Sequence, residues 1–265
     1  MLLSNLHTHT TFSDGKNTVE ENILTAIDKG FVSLGISDHS YTDFDLTYCM
    51  TREAEYLAEV KAMAEKYRDR LEVYRGIELD GYSEMPEREA YDYIIGSCHY
   101  IRTPDGYFSI DHCREGHMEL FERYFDLDPY SFARAYFDTY VERTLAHRPD
   151  ILGHFDLVAK FGMMPETDEK YLSLAREALE VCLKAVPIIE INVGTMARGI
   201  RSCPYPAPYF MKDIKAFGGR VTFSTDCHQR DNLDYAVKEI EELFRENGFK
   251  SAVILKNGKF EETEI

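Results

Sequence analysis

Ten residues near the start of the chain, LHTHTTFSDG (6–15), carry the first side chains able to do chemistry. In an extended strand residues i and i+2 point the same way, so His7 and His9 share one face while Leu6 and Thr8 take the other. Two imidazoles on one face chelate a cation when further donors join them, and Asp14 follows five residues after His9. In isolation the same residues would pass as surface polarity. The rest of the chain decides, by supplying more donors at equivalent places or not.

The elements that would position such donors recur along the sequence. Thr18 and Glu21 have capping-box spacing at the start of a helix that Gly30 ends. Leu57, Val60, Ala64 and Tyr67 fall at helical spacing in a stretch beginning at Thr51. Further helices are expected near 129–146, 168–185 and 208–217, and a last one carries Leu233, Ala236, Val237, Ile240, Leu243 and Phe244. Between them lie the β-rich runs FVSLGISDH, LEVYRGIE, YDYIIGSCH, DILGHFD, VPIIEINVG and GRVTFSTDCH, and SAVILKNGKF closes the chain around an Asn257-Gly258 turn. Strands alternating with helices imply a mostly parallel sheet. Nothing rich in Gly, Ser and Pro interrupts the series, so one domain is expected over residues 1–265.

Each β-rich run ends in a group able to bind a cation or move a proton. The first ends in His7 and His9, the second in Asp38-His39, the third in Glu78 and the fourth in His99. The fifth ends in His154, the sixth in Glu190 and Asn192, and the seventh in Asp226 and His228. Core histidines would scatter along strands, whereas these collect at one end. In a β/α barrel the C-terminal strand ends converge on the face where active sites sit. The expectation is therefore an α/β fold: a single-domain, distorted (β/α)7 TIM-like barrel with a metal site at the C-terminal ends of its strands.

The donors are imidazole and carboxylate without thiolate, a set that suits zinc, manganese or iron. They are too many for one ion. Three sites of three or four ligands, with Glu78 bridging two, would use them all. Two divalent ions about 3.5–4 Å apart can hold a hydroxide and clamp phosphoryl oxygens during in-line displacement. Phosphate-ester hydrolysis follows, although amide hydrolysis would use the same ligand types.

In order and over nearly the full length, LHTHTTFSDG, GISDH, GIE, GSCHY, DILGHFD and STDCH resemble the motifs of the PHP (polymerase and histidinol phosphatase) family. PDILGHFDLVAKFG, EINVGTMARG and STDCHQRDNLDYA are most similar to its histidinol-phosphate phosphatases. The resemblance implies a distorted barrel of seven strands and three divalent transition-metal ions (Zn, Mn and/or Fe). It assigns His7, His9, Glu78 and Asp226 to one metal, Glu78, His99 and His154 to the second, and Asp14, His39 and His228 to the third. It further implies a phosphomonoesterase converting L-histidinol phosphate to L-histidinol and phosphate in histidine biosynthesis. Glu78 and Asp226 would be the catalytic residues, with Asp226 or a water on the third metal protonating the departing alkoxide. Arg198 in GTMARG and Lys160 in DLVAKFG match positions that contact substrate phosphate, with Arg201 ranked below both. Two rivals stand beside this reading. One is a PHP phosphoesterase acting on nucleotides or other small phosphate esters. The other is a non-catalytic PHP scaffold, which should have lost ligands that this chain keeps.

Composition excludes more than it finds. A net charge of −17, without a Lys/Arg run, argues against nucleic acid or an anionic membrane as partner. A small phosphate ester remains the expected partner, and oligomeric state is not readable. The first residues lack a signal peptide's basic and apolar regions, and nowhere is the chain apolar enough to span a bilayer. Six scattered cysteines read as reduced thiols, so a cytoplasmic location is expected. Cys98 and Cys227 each precede a ligand histidine and should turn away from it into packing. His112, His117 and His147 fall outside the strand-end pattern and are expected to face solvent. The segment 102–117 is either a lid or specificity loop or a long connection.

Overall fold

The computed structural model describes residues 3–265. In chain order the elements are β1 (Ser4–Asn5), α1 (Val19–Asp28), β2 (Ser33–Ile36), α2 (Glu53–Tyr67), β3 (Glu72–Arg75), β4 (Glu78–Asp80) and β5 (Ile95–Ser97). Then come β6 (Tyr100–Thr103), β7 (Gly106–Ser109), α3 (Arg114–Phe125), α4 (Pro129–His147), β8 (Ile151–Leu152), α5 (Glu169–Ala185) and β9 (Ile188–Asn192). The chain ends with α6 (Gly194–Ala197), α7 (Met211–Ala216), β10 (Arg220–Ser224), α8 (Val237–Glu246), β11 (Ser251–Lys256) and β12 (Lys259–Glu264). None of the described helices is long and apolar enough to cross a membrane.

Two parallel sheets carry the architecture, in the orders β1-β2-β3 and β10-β9-β8-β5-β4. The run LEVYRGIE was expected as one strand but divides at Gly76: β3 pairs with β2, and β4 pairs with β5. Isolated parallel bridges join the sheets at both margins, Thr8 to Cys227 and His39 to Glu78. Backbone bonds reinforce them, from His9 N to Cys227 O at 2.9 Å and from Ser40 N to Glu78 O at 2.9 Å. Tyr93, fully buried, lies between the two sheets and donates its hydroxyl to Leu6 O. A Cβ on Gly35 or Gly76 would overlap its ring, which explains glycine at both positions.

Local chemistry sets the helices. Thr18 Oγ1 accepts from Glu21 N at 3.2 Å, Glu21 Oε2 accepts from Thr18 N at 2.9 Å, and Gly30 takes the left-handed conformation at φ 77°. The face of α5 bearing Tyr171, Leu174, Ala175, Ala178, Leu179 and Cys182 is buried in the main core, where α5 meets α4. The last helix starts later than its apolar pattern suggests: Ala236 sits at φ 56° and interrupts it, leaving Leu233 buried just outside. The 208–217 segment is a 3₁₀ turn (Pro208–Phe210) running into α7. Asn257 and Gly258 turn the β11–β12 hairpin as expected.

The segment 102–117 falls within the antiparallel β6–β7 hairpin and the start of α3. His117 does not face solvent. It shares the buried face of α3 with Leu120 and Phe121, its Nδ1 lying 2.6 Å from Ile110 O and its ring against Phe132. His112 is exposed and His147 is half-buried.

Candidate metal centre

Side chains from β4 and from the segments following β1, β2, β5, β8 and β10 converge on Glu78. Its Oε1 lies 2.8 Å from His154 Nε2 and 3.3 Å from His99 Nε2. Its Oε2 lies 2.8 Å from His39 Nδ1, 3.3 Å from His7 Nε2 and 3.5 Å from His9 Nε2. Asp226 Oδ1 sits 3.1 Å from His9 Nε2 and 3.8 Å from His7 Nε2. Asp14 lies 3.1 Å from His228 Nε2 and 3.6 Å from His39 Nε2. All nine residues expected as ligands are thus brought together. Donor atoms within 4.8 Å of one another form three overlapping groups: His7, His9 and Glu78; His39, Glu78 and His99; and His9, Asp14, His39 and His228. The last differs from the set implied by resemblance in taking His9 as well.

The strand ends are held by groups outside the cluster. Tyr56 places its hydroxyl 2.7 Å from Ile36 O and 2.6 Å from Gly76 O, at the ends of β2 and β3. Tyr140 donates to Gly153 O and Tyr136 to Phe155 O, fixing the backbone on either side of His154. Asp38 accepts from the backbone and hydroxyl groups of Thr10 and Ser13, shaping the loop that presents Asp14. Asp226 itself is left-handed at φ 46°, a conformation aspartate tolerates better than most residues.

Electrostatics favours a cation here. Burial alone would raise the Glu78 carboxyl, but the imidazoles of His7, His39 and His99 and the His154 hydrogen bond hold it well below its ordinary range. Burial is likewise outweighed at Asp226 by Arg198, His228 and His7, which keep it ionised. Burial, with His39 and His228 beside it, lowers His9 to about 3, so its ring is neutral. Close as some of these atoms are, His7 Nε2, both ring nitrogens of His9 and Glu78 Oε2 are buried without a hydrogen bond of good geometry among the described residues. Leaving such atoms unpaired is costly. Against burial, the carboxylates hold His7 and His99 above the ordinary imidazole range. Protons thus stand in a space where the ionised oxygens and the neutral His9 ring fit divalent cations.

A cavity of about 570 Å³ opens over the cluster. Arg198 and Lys160 both line it. The Arg198 guanidinium lies 3.1 Å from Asp226 Oδ2 and 3.1 Å from His228 Nδ1. Lys160 is nearly buried and donates to Asp111 O at 2.7 Å and Asp111 Oδ2 at 3.1 Å. Arg201 points elsewhere, into a pair with the half-buried Glu166 at 2.7 Å. Asp45, Tyr48, Tyr100, Ser109, Asp111 and His112 line it too, so the segment around the β6–β7 hairpin builds part of the cavity wall.

A family model described as PHP domain matches residues 5–194. The chain belongs to the PHP family. A Deinococcus radiodurans protein named "Probable histidinol-phosphatase" is 27% identical over 257 residues, covering 91% of this chain and 94% of that one. The Bacillus subtilis histidinol-phosphatase is 23% identical, covering 87% and 95%. Among solved structures, the Lactococcus lactis histidinol phosphate phosphatase, described as a complex with zinc, L-histidinol and phosphate, aligns with a TM-score of 0.71 at 19% identity, covering 98% of both chains. That likeness speaks for the fold: this PHP chain shares an α/β arrangement with parallel sheets.

Within the PHP fold, Cys98 and Cys227 pack into hydrophobic clusters as expected, and burial raises the Cys227 thiol to about 12. Two further acids sit at the centre: Asp80, which sequence reasoning missed, and Glu190, named there as a strand end without a site role. Asp80 Oδ2 lies 3.2 Å from His99 Nδ1, and Glu190 Oε2 lies 2.8 Å from His7 Nδ1. Asp80 follows Glu78 by two positions on the same strand, a signal that alternation could have supplied.

Proposed function

We propose that this chain is a metal-dependent phosphomonoesterase that hydrolyses L-histidinol phosphate to L-histidinol and phosphate, in histidine biosynthesis. The observation that carries the reading is the meeting of nine imidazole and carboxylate residues, Glu78 at their centre, beneath a cavity lined by Arg198 and Lys160. The curated relatives named as histidinol-phosphatases support the substrate. We further infer that the two sheets close into a distorted barrel, which the bridges at both margins favour, that residues 1–265 form one domain, and that the enzyme works in the cytoplasm.

Three divalent ions, zinc, manganese or iron, would be held by His7, His9, Glu78 and Asp226, by Glu78, His99 and His154, and by Asp14, His39 and His228. Bound there, they supply Lewis-acid stabilisation of a phosphoryl group and acidify water. Glu78 would be shared by two of the sites, which its two oxygens, facing different histidines, allow. Arg198 and Lys160 bind the phosphate oxygens and offset the charge that develops as the group is transferred. The departing alkoxide takes its proton from Asp226 or from a water at the third site, and Asp226, held ionised against its burial by Arg198, His228 and His7, is the poorer proton carrier of the two. Asp45 and Asp111 give the cavity wall carboxylates suited to the substrate's ammonium group.

The test is a substrate panel with metal-loaded protein: L-histidinol phosphate, several nucleoside monophosphates and an aryl phosphate. Histidinol phosphate should be preferred, with kcat/KM of about 10⁴ M⁻¹s⁻¹ or more. Faster turnover of nucleotides would overturn the substrate, and inertness toward every ester would overturn the enzyme reading.

A further inference from the structure

Glu190 is buried at 1% exposure on β9, and every contact it makes is with a donor. Oε1 accepts from His154 N at 2.7 Å and from Asn192 Nδ2 at 2.9 Å. Oε2 accepts from Ser224 Oγ at 2.6 Å and lies 2.8 Å from His7 Nδ1. Four donors offset the cost of burying a carboxylate. They also saturate it, and Glu190 belongs to none of the donor groups found among the described residues. It is therefore poorly placed to bind an ion itself.

We propose that Glu190 is a positioning residue that dictates which nitrogen of His7 faces the metal centre. The inference rests on the metal reading above and adds to it a requirement about a proton. An ionised carboxylate only accepts hydrogen bonds, so the His7 nitrogen facing it must carry the hydrogen. With the proton held on Nδ1, the Nε2 lone pair is left directed at Glu78 Oε2, 3.3 Å away, and at Asp226 Oδ1, 3.8 Å away. Nε2 has no hydrogen-bond partner among the described residues, as a ligand atom should. The device recurs at His99, which turns Nδ1 to Asp80 Oδ2 at 3.2 Å. At His7 the partner comes from a residue 183 positions away.

The surroundings make Glu190→Gln an unusually selective probe. On the Oε1 side, His154 N is a backbone donor that cannot become an acceptor. Asn192 is fixed as a donor as well, because its Oδ1 already accepts from Gly194 N at 2.9 Å. A glutamine must therefore keep its carbonyl on that side and turn its NH₂ toward Ser224 and His7. The serine hydroxyl can rotate to accept. His7 can accept only by moving its proton to Nε2, which removes the lone pair offered to the metal.

The experiment compares zinc-loaded wild type and Glu190→Gln by zinc affinity and by ¹⁵N NMR of labelled histidines, with His7 assigned through His7→Asn. The wild type should show His7 protonated on Nδ1 with zinc on Nε2, and Glu190→Gln should bind zinc about 10–100-fold more weakly with the His7 proton moved to Nε2. Wild-type affinity in Glu190→Gln would overturn the proposal. So would a wild-type His7 bound through Nδ1 or protonated on Nε2, a result that stands even if the variant fails to fold. A wild type that binds no zinc, manganese or iron would overturn the metal reading first and this inference with it.

Discussion

Nε2 of His154 lies 2.8 Å from Oε1 of Glu78, a carboxylate 76 residues earlier in the chain, and both side chains are buried. The same carboxylate faces His39, His7, His9 and His99. Glu78→Gln keeps the shape but replaces one ligand oxygen with an amide that cannot bridge two cations. Phosphate release should fall at least about 100-fold, since several kcal/mol of charge stabilisation goes with the bridge. Bound metal, read by elemental analysis, should fall by about one ion per chain, with the circular dichroism spectrum unchanged. Retained turnover would show that the bridge is elsewhere.

Two arginines near one another in sequence should fail in different ways. Arg198 reaches Asp226 and borders the cavity, with 32% of its side chain exposed. Arg198→Ala should lower kcat/KM for a phosphate ester by about 100-fold with little change in Tm. Arg201 is 7% exposed, and its guanidinium meets both Glu166 oxygens, at 2.7 and 3.3 Å. Glu166, 23% exposed, keeps part of its hydration when its partner is lost, so Arg201→Ala should cost about 2 kcal/mol in urea unfolding. A stable Arg201→Ala with a raised KM would reverse the two assignments.

His117 should make the fold acid-sensitive. Burial lowers its pKa from the ordinary 6.5, and its Nε2 has no hydrogen-bond partner among the described residues. The unfolded chain therefore binds this proton more readily than the folded one below pH 6.5. Stability is fully present above that value and is lost as pH falls through it, at a slope of at most about 1.4 kcal/mol per pH unit. His117→Asn keeps a donor for Ile110 O without the titration. The stability gap between wild type and variant, measured by urea unfolding from pH 8 to 5, should narrow or reverse on the acid side. A constant gap would contradict the assignment.

Much of the centre was legible because strands impose order. His7, His9, His99, His154, Asp226 and His228 each stand just past a strand's C-terminal end, and parallel strands bring such ends together whatever the sequence separation. Glu78, expected to end a strand, instead opens β4 three residues beyond β3. Helix termini were legible where local chemistry fixes them, as at Thr18, Glu21 and Gly30. What depends on distant packing was not. LEVYRGIE divides at Gly76 because Tyr93 packs there, and neither residue signals the other. His117 is buried because α3, which had no assignment, lays that face against Phe132. Glu190 stood out as a polar strand end, but its pairing with His7 exists only once the fold brings the two side chains within 2.8 Å.

The central claim is that cations gather at the ends of these strands, and anomalous X-ray scattering from crystals of metal-loaded protein tests it most directly. The account predicts strong peaks about 2.0–2.2 Å from the imidazole nitrogens of His7, His9, His99 and His154 and from the carboxylates of Glu78 and Asp226. Crystals grown with zinc or manganese that show no anomalous density among these side chains would contradict it.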